Sequence, residues 1–298
     1  MKHWRLANSR ALTLDRPRLL GILNVTHDSF SDGGLYTDPG AACAAAERMV
    51  DEGADAIDIG GESTRPGASR ISAAEQCRRV IPVIRSIRAL AGPAADIPIS
   101  IDTTLAAVAR AALDAGADAV NDVSGGTEDS ALVELVARTG AGLILMHRER
   151  PPESDTYSDR YAEALVEGDI VAHVIASLRD HLVPLATRAG VATEHMMIDP
   201  GLGFGKTVSQ NVELIARSAE IADAVDLPLV SGLSRKSFVG RIGLKRDSEP
   251  GERLPSTLTL SLAHRASGAS VFRVHDVAAH AQAFAAAERI AAFRSGAS

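Results

Sequence analysis

The stretch IDPGLGFGKT, residues 198–207, is the first place where residue types and spacing could do chemistry. It ends like a phosphate-cradling loop, with Gly205, Lys206 and Thr207 in a row. Such a loop needs a glycine five positions before Gly205, where the backbone turns tightly around phosphate. Pro200 stands there, with no N–H to give and a fixed φ. Asp199 precedes it, and a carboxylate would repel phosphate. A P-loop kinase is therefore rejected, and Asp199 needs another role.

Other polar residues share its situation. Apolar runs end in or carry Asn24, Asp58, Asp102, Asn121 with Asp122, Asp199, the row Ser234-Arg235-Lys236-Ser237, and the pair Arg273 and His275. Arg273 and His275 are two apart and share one face of a strand. Taken singly, an Asp after a strand most simply caps the next helix, and Asp122 and Asp276 are read that way or as bonding neighbouring loops. Taken together, several carboxylates and amides with a Lys, an Arg and a His would be costly to bury without a polar ligand.

The donors and acceptors suggest its shape. Asp102, Asn121 and Asp199 suit a flat heterocycle, since a carboxylate can accept two adjacent N–H groups from a 2-amino-pyrimidinone edge. Asn24, Arg273 and His275 are expected to form a separate, anion-friendly corner. Ser237 opens a helix, whose N-terminus favours an anion such as a carboxylate. Two loops, residues 26–34 (TxDSFSDGG) and 60–68 (GGESTRPGA), carry Phe30 and Arg65 and read as lids that close on substrate.

The elements that must position these groups are legible in the alternation along the chain. Short, nearly continuous apolar runs read as strands buried on both faces at 18–26, 55–61, 98–103, 119–125, 142–147, 196–203, 228–234 and 270–277. Alanine-rich amphipathic stretches separate them. The GAD and GA sequences before several strands supply helix C-caps and turns. Eight βα units in 298 residues predict a single-domain α/β fold, the (β/α)₈ TIM barrel, over residues 18–298. The open doubly wound sheet is the structural rival. Residues 1–17 are an N-terminal extension, expected as a short hairpin over the barrel bottom. In a barrel, all the polar strand ends meet at the C-terminal mouth.

Bulk composition excludes other classes. A net charge of −7 argues against nucleic acid as a partner, and no apolar run reaches membrane-spanning length. The N-terminus lacks a signal peptide's apolar core. Cys43 and Cys77 lie far apart and predict reduced thiols in a cytoplasmic protein. Asn24-Val25-Thr26 matches a glycosylation sequon and is read as chance.

From Leu19 to Val277 the chain resembles the dihydropteroate synthases. The resemblance rests on GILNVTxDSFSDGG, DIGGESTRPGA, SIDT, NDVSGG, LMH, DPGLGFGK, GLSRKSFVG and RVHDV, in that order. It implies the barrel fold and a transferase of folate biosynthesis. That enzyme joins 6-hydroxymethyl-7,8-dihydropterin diphosphate to 4-aminobenzoate, giving 7,8-dihydropteroate and diphosphate. It further implies a pterin pocket of Asp102, Asn121, Asp199 and Lys236 with Met146 nearby. Asn24 is implied as a ligand for Mg²⁺, with Arg273 and His275 on the diphosphate. Thr64, Arg65, Pro66, Phe204, Lys236 and Ser237 are implied for 4-aminobenzoate, and Asp32 and Phe30 for the first lid. Asp32, Arg65, Lys236 and Asp102 are expected to act on the reaction itself. A homodimer taking small-molecule substrates is expected.

Three departures stand out: His27 in place of the first lid's usual proline, RERPPESD after LMH, and Ser256 in place of a usual glycine. None removes a group with an assigned role. The rivals are a corrinoid-linked methyltransferase, opposed by the STRP, SRKS and RVH motifs, and a non-catalytic pterin-binding paralogue, opposed by Lys236 and the lid.

Overall fold

The computed structural model describes residues 2–25 and 39–294. Among the described residues there are ten strands: β1 (His3–Arg5), β2 (Ala11–Thr13), β3 (Arg18–Asn24), β4 (Ala56–Gly60), β5 (Ile99–Asp102), β6 (Ala119–Asp122), β7 (Gly142–Met146), β8 (Met196–Asp199), β9 (Val230–Ser231) and β10 (Val271–Val274). The last eight form one parallel sheet in the order β8-β7-β6-β5-β4-β3-β10-β9. A parallel bridge from Ile198 to Leu229, just before β9, joins its two edges. The sheet therefore closes, and the barrel rather than the open sheet is the fold. Each expected strand is present, although β9 is only two residues long.

The strands are nearly continuous apolar runs because both faces are covered. Outward-facing Ile57, Ile59, Ile99 and Ile101 pack with helical residues such as Val80, Val83, Ile84 and Val108 in one large core. Local signals place the helices. Ser72 and Asp129 each accept an N–H from the first turn that follows, and Gly140 ends a helix at φ 63, the left-handed region.

The interior of the barrel is stratified. Leu20, Ala56, Ala119, Ile144, Met197, Val230 and Val271 form a lower apolar layer together with Trp4, Leu6 and Leu12. The last three come from the antiparallel β1–β2 hairpin, which thus plugs the barrel bottom. Trp4 Nε1 donates to His195 O at 2.8 Å. A Cβ on Gly142 would lie 2.6 Å from Leu6 and 2.7 Å from Trp4, so the bare glycine is what admits the plug.

The GAD aspartates have a further role here. Buried Asp118 takes Arg10 at 2.8 Å and Arg88 at 2.7 Å, and Asp55 takes Arg18 at 2.8 Å. The extension is tied on by charge as well as by apolar contact.

Candidate active site

Two residues further along four of the strands, the apolar layer gives way to polar groups. Period-two alternation puts Asp58 above Ala56, Asn121 above Ala119, Asp199 above Met197 and Arg273 above Val271. Parallel register then brings Asp58 beside Ser100 and Asp102 beside Asn121.

Arg273 is the hub. Its Nε donates to Asp58 Oδ2 at 2.5 Å, and its Nη2 donates to Asp102 Oδ2 at 2.7 Å. Asn121 Nδ2 donates to Asp58 Oδ2 at 3.1 Å, and Ser100 Oγ donates to Asp58 Oδ1. Asp58 is thus fully occupied inside the protein. Asp102 is not: its Oδ1 is buried without a partner among the described residues. Burial raises the Asp102 carboxyl to about 7, against the pull of Arg273. A buried acceptor with no donor is costly to leave unmade, so Oδ1 marks where a ligand N–H belongs.

Asp199 is built similarly. Its Oδ1 accepts the Gly201 N–H at 2.7 Å, and burial raises its pKa. A Cβ on Gly232 would lie 3.1 Å from Oδ2, so the glycine leaves that oxygen approachable. Lys236 Nζ lies 4.2 Å from the centre of the Phe204 ring and donates to Leu202 O. Burial lowers the Lys236 ammonium to about 7. Met146, Phe204 and Val123 form a small separate apolar cluster.

Lys206, the lysine of the stretch that resembled a phosphate loop, is fully buried. Its Nζ donates to Gly201 O and Phe204 O, both at 3.0 Å. It ties the glycine loop to itself, and Thr207 then caps the next helix in a capping box with Gln210. Gly201, at φ 68, is required: a Cβ there would stand 1.7 Å from His147 O.

His275 and Arg273 do not form the separate anion corner expected. Arg273 is drawn to the two buried carboxylates within reach, so corner and pocket merge. His275 Nδ1 pairs with Ser234 Oγ at 3.1 Å. Burial lowers its imidazole to about 3, so it faces the mouth uncharged. Asn24 ends β3, half-buried. Thr64 and Pro66 are half-buried and Arg65 exposed in the loop after β4. Ser237 opens the helix Ser237–Leu244. Asp32, Phe30 and His27 lie outside the described residues.

Asp122 accepts from Ser124 N and Gly126 N, and Asp276 grips Arg235 at 2.6 Å, so both serve their own loops. Sequence reasoning gave no role to Asp58, although it noted the residue in its strand. The usable signal was a carboxylate between Ile57 and Ile59 in an otherwise apolar run; its level with Ser100 came only from the sheet.

Residues 20–275 match the pterin binding enzyme family. The dihydropteroate synthase of a Synechocystis species is 43% identical over 267 residues, covering 90% of this chain and 88% of that one. A probable bifunctional folylpolyglutamate synthase/dihydropteroate synthase of Haloferax volcanii is 43% identical over 263 residues. This chain spans only 29% of that longer protein. The structure of Xanthomonas albilineans dihydropteroate synthase with 4-aminobenzoic acid superposes with a TM-score of 0.83 at 39% identity, covering 97% of this chain and 99% of that one. The fold is that of a pterin-binding barrel. The chain belongs to the dihydropteroate synthase family of pterin-binding enzymes.

Proposed function

We infer that the chain condenses 6-hydroxymethyl-7,8-dihydropterin diphosphate with 4-aminobenzoate, giving 7,8-dihydropteroate and diphosphate. One observation carries the reading of the pocket. Among the described residues Asp102 Oδ1 is buried and unpaired while Arg273 holds Oδ2 in place. The free oxygen suits a ring N–H, and Asp199 Oδ2 suits a second contact on the same ring edge. Asn121, anchored on Asp58, fixes the floor between them.

In the reaction the bond between the pterin methylene and the diphosphate oxygen breaks, and a bond from that carbon to the arylamine nitrogen forms. The nitrogen then loses one proton. The amine is already neutral near pH 7, so no strong base is required. The chain's task is to hold the ring rigidly, meet the departing charge with cations, and exclude water from the cation left behind. Lys236, Thr64, Arg65, Pro66, Phe204 and Ser237 are assigned to the second substrate, with the Ser237 helix N-terminus toward its carboxylate. Asp32 is assigned to the first lid.

Mg²⁺ is part of the proposal, with Asn24 as its protein ligand. The space that a side chain on Gly60 would fill lies 3.5 Å from Asn24 Oδ1 and 3.8 Å from Asp102 Oδ2. Asp102 Cβ stands equally near and Arg273 holds Oδ2, so Asn24 Oδ1 is the oxygen offered to a hard cation that keeps water and phosphate oxygens as its other ligands. When bound, Mg²⁺ supplies charge neutralisation to the leaving diphosphate.

Work in the cytoplasm as a homodimer completes the reading. No disulfide joins Cys43 to Cys77, which suits a reducing compartment. Exposed Ile290 and Phe293 on the last helix offer an apolar face for self-association. The deciding experiment is a coupled assay of diphosphate release with and without 4-aminobenzoate. Release should depend on the amine; equal release without it would show a hydrolase instead.

A further inference from the structure

The loop after β7 and the helix Ile170–Ala176 bring together three side chains for which the synthase reaction has no use. Glu149 Oε1 lies 3.1 Å from His147 Nε2 and 3.0 Å from His173 Nε2. That oxygen is buried, yet it accepts a hydrogen bond from neither ring. His147 Nδ1 is also buried without a partner among the described residues. One donor atom from each of the three residues lies within 4.8 Å of the other two. Converging lone pairs that do not satisfy one another are what a ligand set looks like before its ion is added.

We propose that His147, Glu149 and His173 bind one transition-metal ion of the Zn²⁺ class, clipping the loop after β7 to the helix that follows it. Two imidazoles and one carboxylate are a known three-ligand zinc set, with a fourth position left to water. Bond lengths of about 2.0–2.2 Å in a tetrahedral site separate ligand atoms by roughly 3.4 Å. The two contacts to Glu149 need open by only a few tenths of an ångström. Imidazole nitrogen selects against Mg²⁺, which prefers oxygen alone.

The surroundings fit such a clip. His147 is buried, so its ring is fixed by packing on the inner side of the cluster. The His173 side chain is 42% exposed and gives the ion a way in. The helix passes into a π-helical segment, Ser177–Leu182, one turn after His173. Such segments frequently mark functional sites. Lys206 is the opposing charge, since it contributes to lowering the His147 pKa. Its ammonium is already lowered to about 8 by burial, and Glu149 offsets it. A Cβ on Gly205 would stand 2.5 Å from Glu149 Cβ, so the clip also braces the glycine loop that carries Phe204.

The test uses the full chain, stripped with a chelator and titrated with Co²⁺ in excess Mg²⁺. One equivalent should bind with the visible d–d absorption of a low-coordinate site, and one equivalent of Zn²⁺ should displace it. His173→Ala, on an exposed helix face, should weaken binding by at least about 10–100-fold, with Glu149→Gln close behind. His181→Ala, at an exposed control histidine, should bind as the parent does. Zn²⁺ should raise the Tm of the parent but not of His173→Ala. Co²⁺ that stays spectrally aqueous, or binding unchanged in His173→Ala, would overturn the proposal.

Discussion

Arg273 holds one oxygen of Asp102 and leaves the other with nothing. Its Nη2 donates to Oδ2 at 2.7 Å, while Oδ1 is buried without a partner among the described residues. The arginine fixes the carboxylate's orientation, and the orientation aims the free oxygen. Asp102→Asn should therefore lower affinity for the pterin diphosphate. The amide can accept one N–H but must turn its own donor toward the other contact. A buried mismatch of about 1–3 kcal/mol corresponds to roughly 5- to 150-fold in Kd. Asp199→Asn should behave alike. Calorimetry on folded variants decides, and unchanged affinity in both would reduce these carboxylates to structural roles.

The rigid pocket and the loops should separate in binding experiments. Asp102, Asn121 and Asp199 sit on strands, whereas Arg65 is exposed in the loop after β4. The pterin diphosphate should bind without 4-aminobenzoate. Arg65→Ala should lower kcat and weaken 4-aminobenzoate, yet leave pterin diphosphate affinity within about twofold, the scatter of a surface substitution. Asp32→Ala should show the same split. Loss of pterin binding in Arg65→Ala as severe as in Asp199→Asn would end the division.

Acid should destabilise the protein through its buried histidines. Burial lowers His264 from an ordinary 6.5 to about 3. Between those values the unfolded chain binds a proton that the folded chain refuses. Stability is therefore full above about 6.5 and falls as pH drops toward 3. At pH 5 this single group costs about 2 kcal/mol relative to pH 7. His264→Gln removes the titration, so its Tm should fall less than the parent's between pH 7 and pH 5. Parallel Tm curves for the two proteins would show that His264 does not refuse the proton.

Two glycines with similar backbones should respond differently to the same change. Gly201 (φ 68) and Gly67 (φ 78) are both left-handed. A Cβ on Gly201 would stand 1.7 Å from His147 O, but one on Gly67 meets nothing within 4 Å among the described residues. Gly67→Ala should cost only the dihedral strain, about 1–2 kcal/mol. Gly201→Ala should add a collision with backbone, for a total of about 2–5 kcal/mol. Urea midpoints at constant m-value measure both; equal losses would mean the glycine loop can move away.

The alternation of apolar runs with amphipathic stretches already determined eight βα units, and the motif order determined the family. Strand content was readable because a parallel strand covered on both faces must be apolar throughout. The polar strand ends were readable because each interrupts such a run. Closure was not: an open and a closed sheet have the same local pattern, and only the bridge from Ile198 to Leu229 distinguishes them. Partnership was not readable either. Arg273 lies 215 positions from Asp58 and 171 from Asp102, and no local spacing says that it will hold both. Lys206 shows the same limit from the other side. Pro200 and Asp199 already removed phosphate from its motif, but only the turn of Gly201 and the burial of the loop give its ammonium two carbonyls of its own segment. Sequence fixes which groups a strand end can offer, because side-chain period is a local property. Which of those groups remain free for a ligand depends on what the closed barrel places within about 3 Å of them, the reach of a hydrogen bond.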